Sequence, residues 1–137
     1  MIDNILSDWN STFASHKCRL FAKSVVLHEF AKDAKFTDLT IKLAKAISLP
    51  SRQYDGFNHW GCFGNKNCDG VYLVEVGDKY DLVAVELKSA FSTEELYDAK
   101  EQIDVSLQKT KVLLKTLSSF SDTDIRFSYG IIVSLAP

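Results

Sequence analysis

Two β-rich runs, VYLVEV at 71–76 and DLVAVEL at 81–87, are separated only by GDKY, a segment of turn composition. This pattern predicts an antiparallel hairpin, and it constrains the chain more than any other segment. A two-stranded ribbon is not stable alone, so the remaining elements must extend it or cover its apolar face. Ser92 followed by Glu95 has capping-box spacing and opens a helical run to about Leu117. Its expected buried stripe is Leu96, Ala99, Ile103, Leu107, Leu114 and Leu117. After SSFSDTD, the run IRFSYGIIVSL at 125–135 becomes continuously apolar, as an interior strand does.

Upstream of the hairpin the periodicity is read as helical. Ile2, Ile5, Leu6, Trp9 and Phe13 fall at helical spacing, and Leu20, Phe21, Val25, Leu27 with His28, and Phe30 predict a second helix to about Ala34. A third is predicted from Asp38 to Leu49, with Thr37 or Asp38 as cap and Pro50 after its end. Residues 51–68 interleave Gly56, Gly61 and Gly64 with aromatics and asparagines, which predicts a loop holding one short strand near His59 to Phe63.

These elements give an α/β chain with a mixed central sheet flanked by helices. No repeat or low-complexity linker divides it, so 1–137 is read as a single domain, with 1–50 its helical N-terminal part and 51–137 its sheet core and long helix. That domain could itself belong to a longer protein. With 46% hydrophobic and 25% charged residues, 137 residues suffice for a real core. No window approaches the roughly 18 apolar residues of a membrane span, and MIDNILSDWNS has no secretory pattern, so a soluble, cytoplasmic chain without membrane association is expected. Cys18, Cys62 and Cys68 are an odd number without an export signal, so reduced thiols are expected. The net charge of −2 argues against a polycation that coats a phosphate backbone. Any nucleic-acid contact must come from a local patch or a partner chain.

The chemistry gathers at the open end of the hairpin. Strand side chains alternate, so Leu82, Ala84, Glu86 and Lys88 share one side of the second strand. Asp69 stands just before the first strand, and antiparallel pairing returns it beside Glu86 and Lys88. Two converging carboxylates repel each other, and a divalent cation would relieve that repulsion. Hard oxygen donors at a partly open site suit Mg²⁺ or Mn²⁺. Such an ion lowers the pKa of bound water, and a neighbouring lysine can orient that water or stabilise the transition state, a combination suited to phosphodiester hydrolysis.

Asp69, then Glu86-Leu87-Lys88 at the end of the next strand, then Ser89 and a long helix resemble the PD-(D/E)XK nuclease superfamily, the restriction-endonuclease-like fold. CDGVYLVEVGDKYDLVAVELKS is similar in style to archaeal Holliday-junction resolvases and restriction-type nucleases. The resemblance covers roughly 54–135 and implies an αβββαβ core, with the N-terminal helices as additions and the first core strand within 54–63. It implies that Asp69, Glu86 and the backbone carbonyl of Leu87 hold Mg²⁺ or Mn²⁺, and that Lys88 is the catalytic lysine. It also implies auxiliary roles for Gln102 and for Glu29, the latter as the glutamate some branches carry on their first helix, where Asp33 would fit as well. Ser89, Lys100 and Lys109 are candidate substrate contacts. The proline that precedes the first acid in the family is Cys68 here. The implied activity is a metal-dependent endonuclease acting on DNA, as a homodimer or as a subunit or domain of a larger restriction, repair or phage-defence assembly. The alternative is the same fold serving as a non-catalytic interaction or immunity-type module.

Plainer readings stand beside these. Asp81 lies in GDKYD and reads as a turn residue, Glu75 as a solvated position near the turn, and His28 as a packed or surface histidine. His59, Cys62 and Cys68 could bind zinc with Cys18 or His16, but the five residues between the latter two cysteines do not form a standard knuckle. A loop packing Trp60 and Phe63 onto the sheet is the simpler expectation. Lys100, Lys109, Lys111 and Lys115 could follow a phosphate backbone, or simply form the wet face of the long helix.

Overall fold

The hairpin forms as expected and becomes the middle of a larger sheet. A computed structural model of the chain describes residues 1–22, 24–28, 38–42, 45–50, 68–88 and 92–134. Strand β5 (Gly70–Val76) and strand β6 (Lys79–Lys88) pair antiparallel from Gly70↔Val85 to Val76↔Lys79. The turn is shorter than GDKY, because Lys79 and Tyr80 already belong to β6. Gly77 sits at φ 61°, a left-handed value that a two-residue hairpin demands and glycine accepts without strain.

The N-terminal third departs from its helical reading. Helix α1 (Ile2–Thr12) is present and buries Ile2, Ile5 and Trp9. The second expected helix is replaced by β1 (Arg19–Phe21) and β2 (Ser24–His28), and the third by β3 (Asp38–Lys42) and β4 (Ala46–Leu49). Val25-Val26 is β-branched and stiff at χ1, and DLTIK alternates polar with apolar, both of which suit strands. β4 is buried at all four positions between β1 and β5, where a short apolar run fits strand and helix periodicities equally. His28 therefore lies on a strand, opposite Asp38, and not on a helix.

The main sheet has the order β1-β4-β5-β6-β7, with β7 spanning Ile125–Ser134, and β2 and β3 form a separate two-stranded sheet. The first four strands of the main sheet are antiparallel neighbours, whereas β7 runs parallel to β6. The strand that pairs with β5 is thus β4, upstream of the 54–63 segment, which lies outside the described residues. Parallel strands need a crossover, and helix α2 (Thr93–Lys115) supplies it. Ser92 caps α2 by accepting from the Glu95 N–H at 3.1 Å, as its sequence spacing predicts.

Both helices pack on one face of the sheet. Ile2, Ile5 and Trp9 of α1 join Ile103, Leu113 and Leu114 of α2 over Ile47, Leu49, Val71, Leu73, Leu82 and Ala84. Asp8 ties α1 to the turn that follows α2, accepting from the Ser119 N–H at 3.0 Å and from its hydroxyl at 2.7 Å. The buried face of α2 keeps Ala99, Ile103, Leu114 and Leu117 of the expected stripe, with Leu107 partly buried against the core, and widens to take in Ser106, Lys109 and Thr110, while Leu96 is exposed. On the opposite face Tyr72, Val83, Val85 and Leu87 form a smaller buried cluster. β7 ends the sheet and is not interior; its Phe127, Tyr129 and Ile131 are exposed. Among the described residues no helix is long and apolar enough to cross a membrane.

Candidate active site at the end of the hairpin

The β5–β6 register fixes the geometry of the candidate site. Gly70 lies opposite Val85, so continuing the antiparallel ladder by one step sets Asp69 opposite Glu86. Directly opposed residues project to the same face. That face is the one covered by α2, because Val71, Leu73, Leu82 and Ala84 of the same parity pack in the helix-side core. Lys88, the last residue of β6, follows on this side, half-buried and in register with Ser134 of β7.

Asp69 and Glu86 are both buried, at 0% and 1% exposure. The Asp69 Oδ2 accepts from the Leu87 N–H at 2.8 Å, so the carboxylate reaches across the ladder to the backbone between Glu86 and Leu87. It therefore caps the end of the sheet and brings its charge to the Glu86-Leu87-Lys88 segment. Cys68, the residue before Asp69, is buried in the same corner as both acids. Its thiol is pushed up to about 12, first by burial, and the Glu86 and Asp69 carboxylates both add to the rise, against hydrogen bonding to Ser106 and to the Val85 backbone.

Helix α2 braces this corner through a contact the sequence reading did not anticipate. The buried Ser106 Oγ accepts from the Cys68 N–H at 2.9 Å, and the Cys68 thiol in turn donates to the Gly70 carbonyl at 3.3 Å. The backbone on either side of Asp69 is thus fixed by one hydroxyl and one thiol. A small polar residue inside a helix's buried stripe is the sequence signal that marks Ser106, because such a group needs a partner in the sheet beneath it. Gln102 stands one turn before Ser106 on the same side of α2, and its Oε1 is a buried acceptor without a hydrogen-bond donor.

The remaining candidates divide. Glu29, Ser89, His59 and Cys62 lie outside the described residues. Lys109 is fully buried, so it belongs to the inner side of α2 and not to a wet face that could follow a nucleic-acid backbone. Lys100 is exposed near the start of α2, beside Thr93, Leu96 and Tyr97. Lys115 pairs with Asp122 at 3.0 Å at the far end of the helix. Asp81 is not in the turn: it lies within β6 and takes a two-pronged bond from Arg126, at 3.0 Å from Nε and 2.7 Å from Nη2. That guanidinium holds the Asp81 carboxyl below the usual carboxylate range. Glu75 is half-buried, and its Oε2 is a buried acceptor without a donor, so it is not simply a solvated group.

Among the described residues no group of three or more His, Cys, Asp and Glu side chains forms a ready metal cage. Two carboxylates and a main-chain carbonyl at one sheet end make an incomplete all-oxygen set. Such a set fits Mg²⁺ or Mn²⁺, which keep several waters and draw further ligands from substrate phosphates. No family model, curated protein or solved structure matches the chain.

Proposed function

We propose that this chain is a metal-dependent endonuclease domain that hydrolyses DNA phosphodiester bonds, with a site of the PD-(D/E)XK type. The observation that carries the reading is the Asp69–Leu87 hydrogen bond at 2.8 Å, which brings the buried Asp69 carboxylate, one residue before β5, to the backbone next to Glu86. The order α1, β4, β5, β6, α2, β7 supports it as well, since it follows the αβββαβ arrangement that the resemblance implies, with β1, β2 and β3 as additions between its first two elements.

Asp69, Glu86 and the Leu87 carbonyl would hold Mg²⁺ or Mn²⁺. When bound, that ion supplies a water of lowered pKa and neutralises charge on the phosphate. Asp69 contributes a carboxylate whose direction is set by its bond to the Leu87 N–H. Glu86 contributes the opposing carboxylate, buried beside Ile132 of β7, where it has little freedom to turn away. Lys88 is only half-buried, so its ammonium can meet a phosphate or an attacking water from solvent. Ser106 and Cys68 are positioning residues that hold the backbone beside Asp69.

The test is cleavage of plasmid and single-stranded DNA with Mg²⁺, Mn²⁺ or chelator, using Asp69→Asn, Glu86→Gln and Lys88→Ala. Asn at position 69 keeps an acceptor for the Leu87 N–H and removes only the charge, so it separates capping from chemistry. Each variant is expected to fold and to lose about a hundredfold or more in rate. Metal-dependent cleavage that survives all three substitutions refutes the assignment. A folded wild type that cuts no substrate favours the non-catalytic module.

A further inference from the structure

The first half of α2 carries an apolar cleft that the proposed chemistry does not use. Thr93, Leu96, Tyr97 and Lys100 line a hollow of about 240 Å³ whose walls are almost wholly apolar. Pockets for a whole ligand run to roughly 300–1,000 Å³, so this one suits a single ring system. Leu96 is 40% exposed and Tyr97 71%, which leaves a broad aromatic face open at its rim.

The packing of α2 on the sheet places this cleft beside the candidate site. Ile103 meets Gly130 of β7, and Gly130 is in register with Ala84 of β6. The crossover leaves the end of β6 and returns to the start of β7, so going back along α2 and going on along β6 lead the same way. Tyr97 is six residues back from Ile103, about 9 Å of helix. Glu86 and Lys88 are two and four residues on from Ala84, about 7 Å and 13 Å of strand. The cleft therefore lies at a height between Glu86 and Lys88. Leu96, seven residues before Ile103, shares its side of the helix, the side of β7, where Lys88 is in register with Ser134.

We propose that the cleft is a subsite for one unpaired base of the substrate strand, stacked on Tyr97, with the Lys100 ammonium at an adjoining phosphate. The identity of the strand rests on the nuclease reading, and the subsite makes that substrate single-stranded or locally unpaired DNA. A base inside a duplex has both faces covered by its neighbours, so only an unpaired base can offer a face to a tyrosine. Such stacking is tolerant of sequence, because every base has a π-face. The charge pattern agrees. Glu94, Asp98, Glu101 and Asp104 are exposed on the same half of α2 and repel a duplex laid along the helix. A single strand can enter base first, with its backbone turned toward Lys100 and the half-buried Lys88.

Fluorescence anisotropy with a labelled single-stranded oligonucleotide tests it, in chelator so that nothing is cut and at one fixed salt concentration. The same strand annealed to its complement is the comparison. Wild type is expected to bind the single strand at least tenfold more tightly than the duplex. Tyr97→Ala is expected to lose about tenfold in single-strand affinity, and Tyr97→Phe, which keeps the ring, to retain it. Lys100→Gln should weaken binding and flatten its salt dependence. A wild type that binds no single strand or prefers the duplex overturns the proposal, as does a Tyr97→Ala that binds unchanged or a Tyr97→Phe as weak as alanine. Tyr97-dependent binding without cleavage in Mg²⁺ or Mn²⁺ upholds the subsite and overturns the nuclease reading. Metal-dependent cleavage indifferent to Tyr97 does the reverse. Should Tyr97→Ala lose its native circular dichroism, photo-cross-linking of a 5-iododeoxyuridine strand to wild type decides, with attachment at Tyr97 expected and attachment only elsewhere refuting the proposal.

Discussion

Gly130 of β7 packs directly against Ile103 of α2, and substituting it tests the packing that holds the crossover helix above the site strand. A Cβ at position 130 would lie 2.4 Å from Ile103 Cγ2, 2.8 Å from Cδ1 and 3.2 Å from Cγ1. Carbon atoms in good contact sit about 3.5–4.0 Å apart, so the first two distances are severe overlaps. Ile103 cannot swing aside, because a β-branched residue in a helix has one strongly preferred χ1, and this one is a core residue at 6% exposure. Two effects therefore compete in Gly130→Ala. Relief of backbone entropy favours alanine by about 0.5–1 kcal/mol. Overpacking opposes it by about 1–3 kcal/mol, and overlaps this deep belong toward the upper part of that range. The net expectation is a loss of about 1–2 kcal/mol. Ile103→Ala alone should cost about 2–5 kcal/mol through its cavity. In the double variant the new methyl no longer meets the isoleucine, so the combined cost should fall short of the sum by the overpacking cost, about 2–3 kcal/mol. Urea unfolding with a constant m-value measures all four proteins. A neutral or stabilising Gly130→Ala, or strict additivity in the double variant, would refute the reasoning.

Three further outcomes follow from the same structure. Arg126 depresses the folded pKa of Asp81, so its stabilisation is present above the unfolded value of about 3.9 and is lost as pH falls through the folded value. With Arg126 45% exposed, Asp81→Asn should cost only about 1 kcal/mol at pH 7, and stability curves against pH should converge below about pH 4. Ser106→Ala strands the buried Cys68 N–H, which should cost about 1–3 kcal/mol in denaturant unfolding, and it should weaken Mn²⁺ binding by loosening the segment before Asp69. Cys18 and Cys68 are buried, and burial raises both thiols, so a Cys62→Ser variant should show no fast reaction with an aromatic disulfide at pH 8 and two reactive thiols after unfolding.

The hairpin, the capped helix and the return of Asp69 to the end of β6 were legible because each rests on a short-range rule: period-two alternation, a cap three residues from its partner, and antiparallel return. The β1 to β4 region was not. Leu20-Phe21 and Ala46–Leu49 are short apolar runs whose state is decided by sheet neighbours distant in sequence, with β4 lodged between β1 and β5. The edge position of β7 was hidden for a related reason. An apolar run looks interior until the topology leaves one side without a strand, and here α2 carries the chain over to the outer flank of β6. Asp81 misled through composition: GDKYD has turn residues, yet the two-residue turn at Gly77 leaves Asp81 inside β6, where Arg126 can reach it. Within the site, Ser106 was hidden among the polar residues of α2 because its partner, the Cys68 amide, lies 38 residues away in sequence.

The most direct test of the central claim is a calorimetric titration of the wild-type protein with Mn²⁺, repeated on Asp69→Asn, Glu86→Gln and Asp81→Asn. If Asp69 and Glu86 form one cation site, the wild type binds one ion per chain. The first two variants should then lose at least tenfold in affinity, a change of about 1.4 kcal/mol or more, and Asp81→Asn should bind as the wild type does. A wild type that binds no Mn²⁺, or binding that Asp69→Asn and Glu86→Gln leave unchanged, contradicts the account.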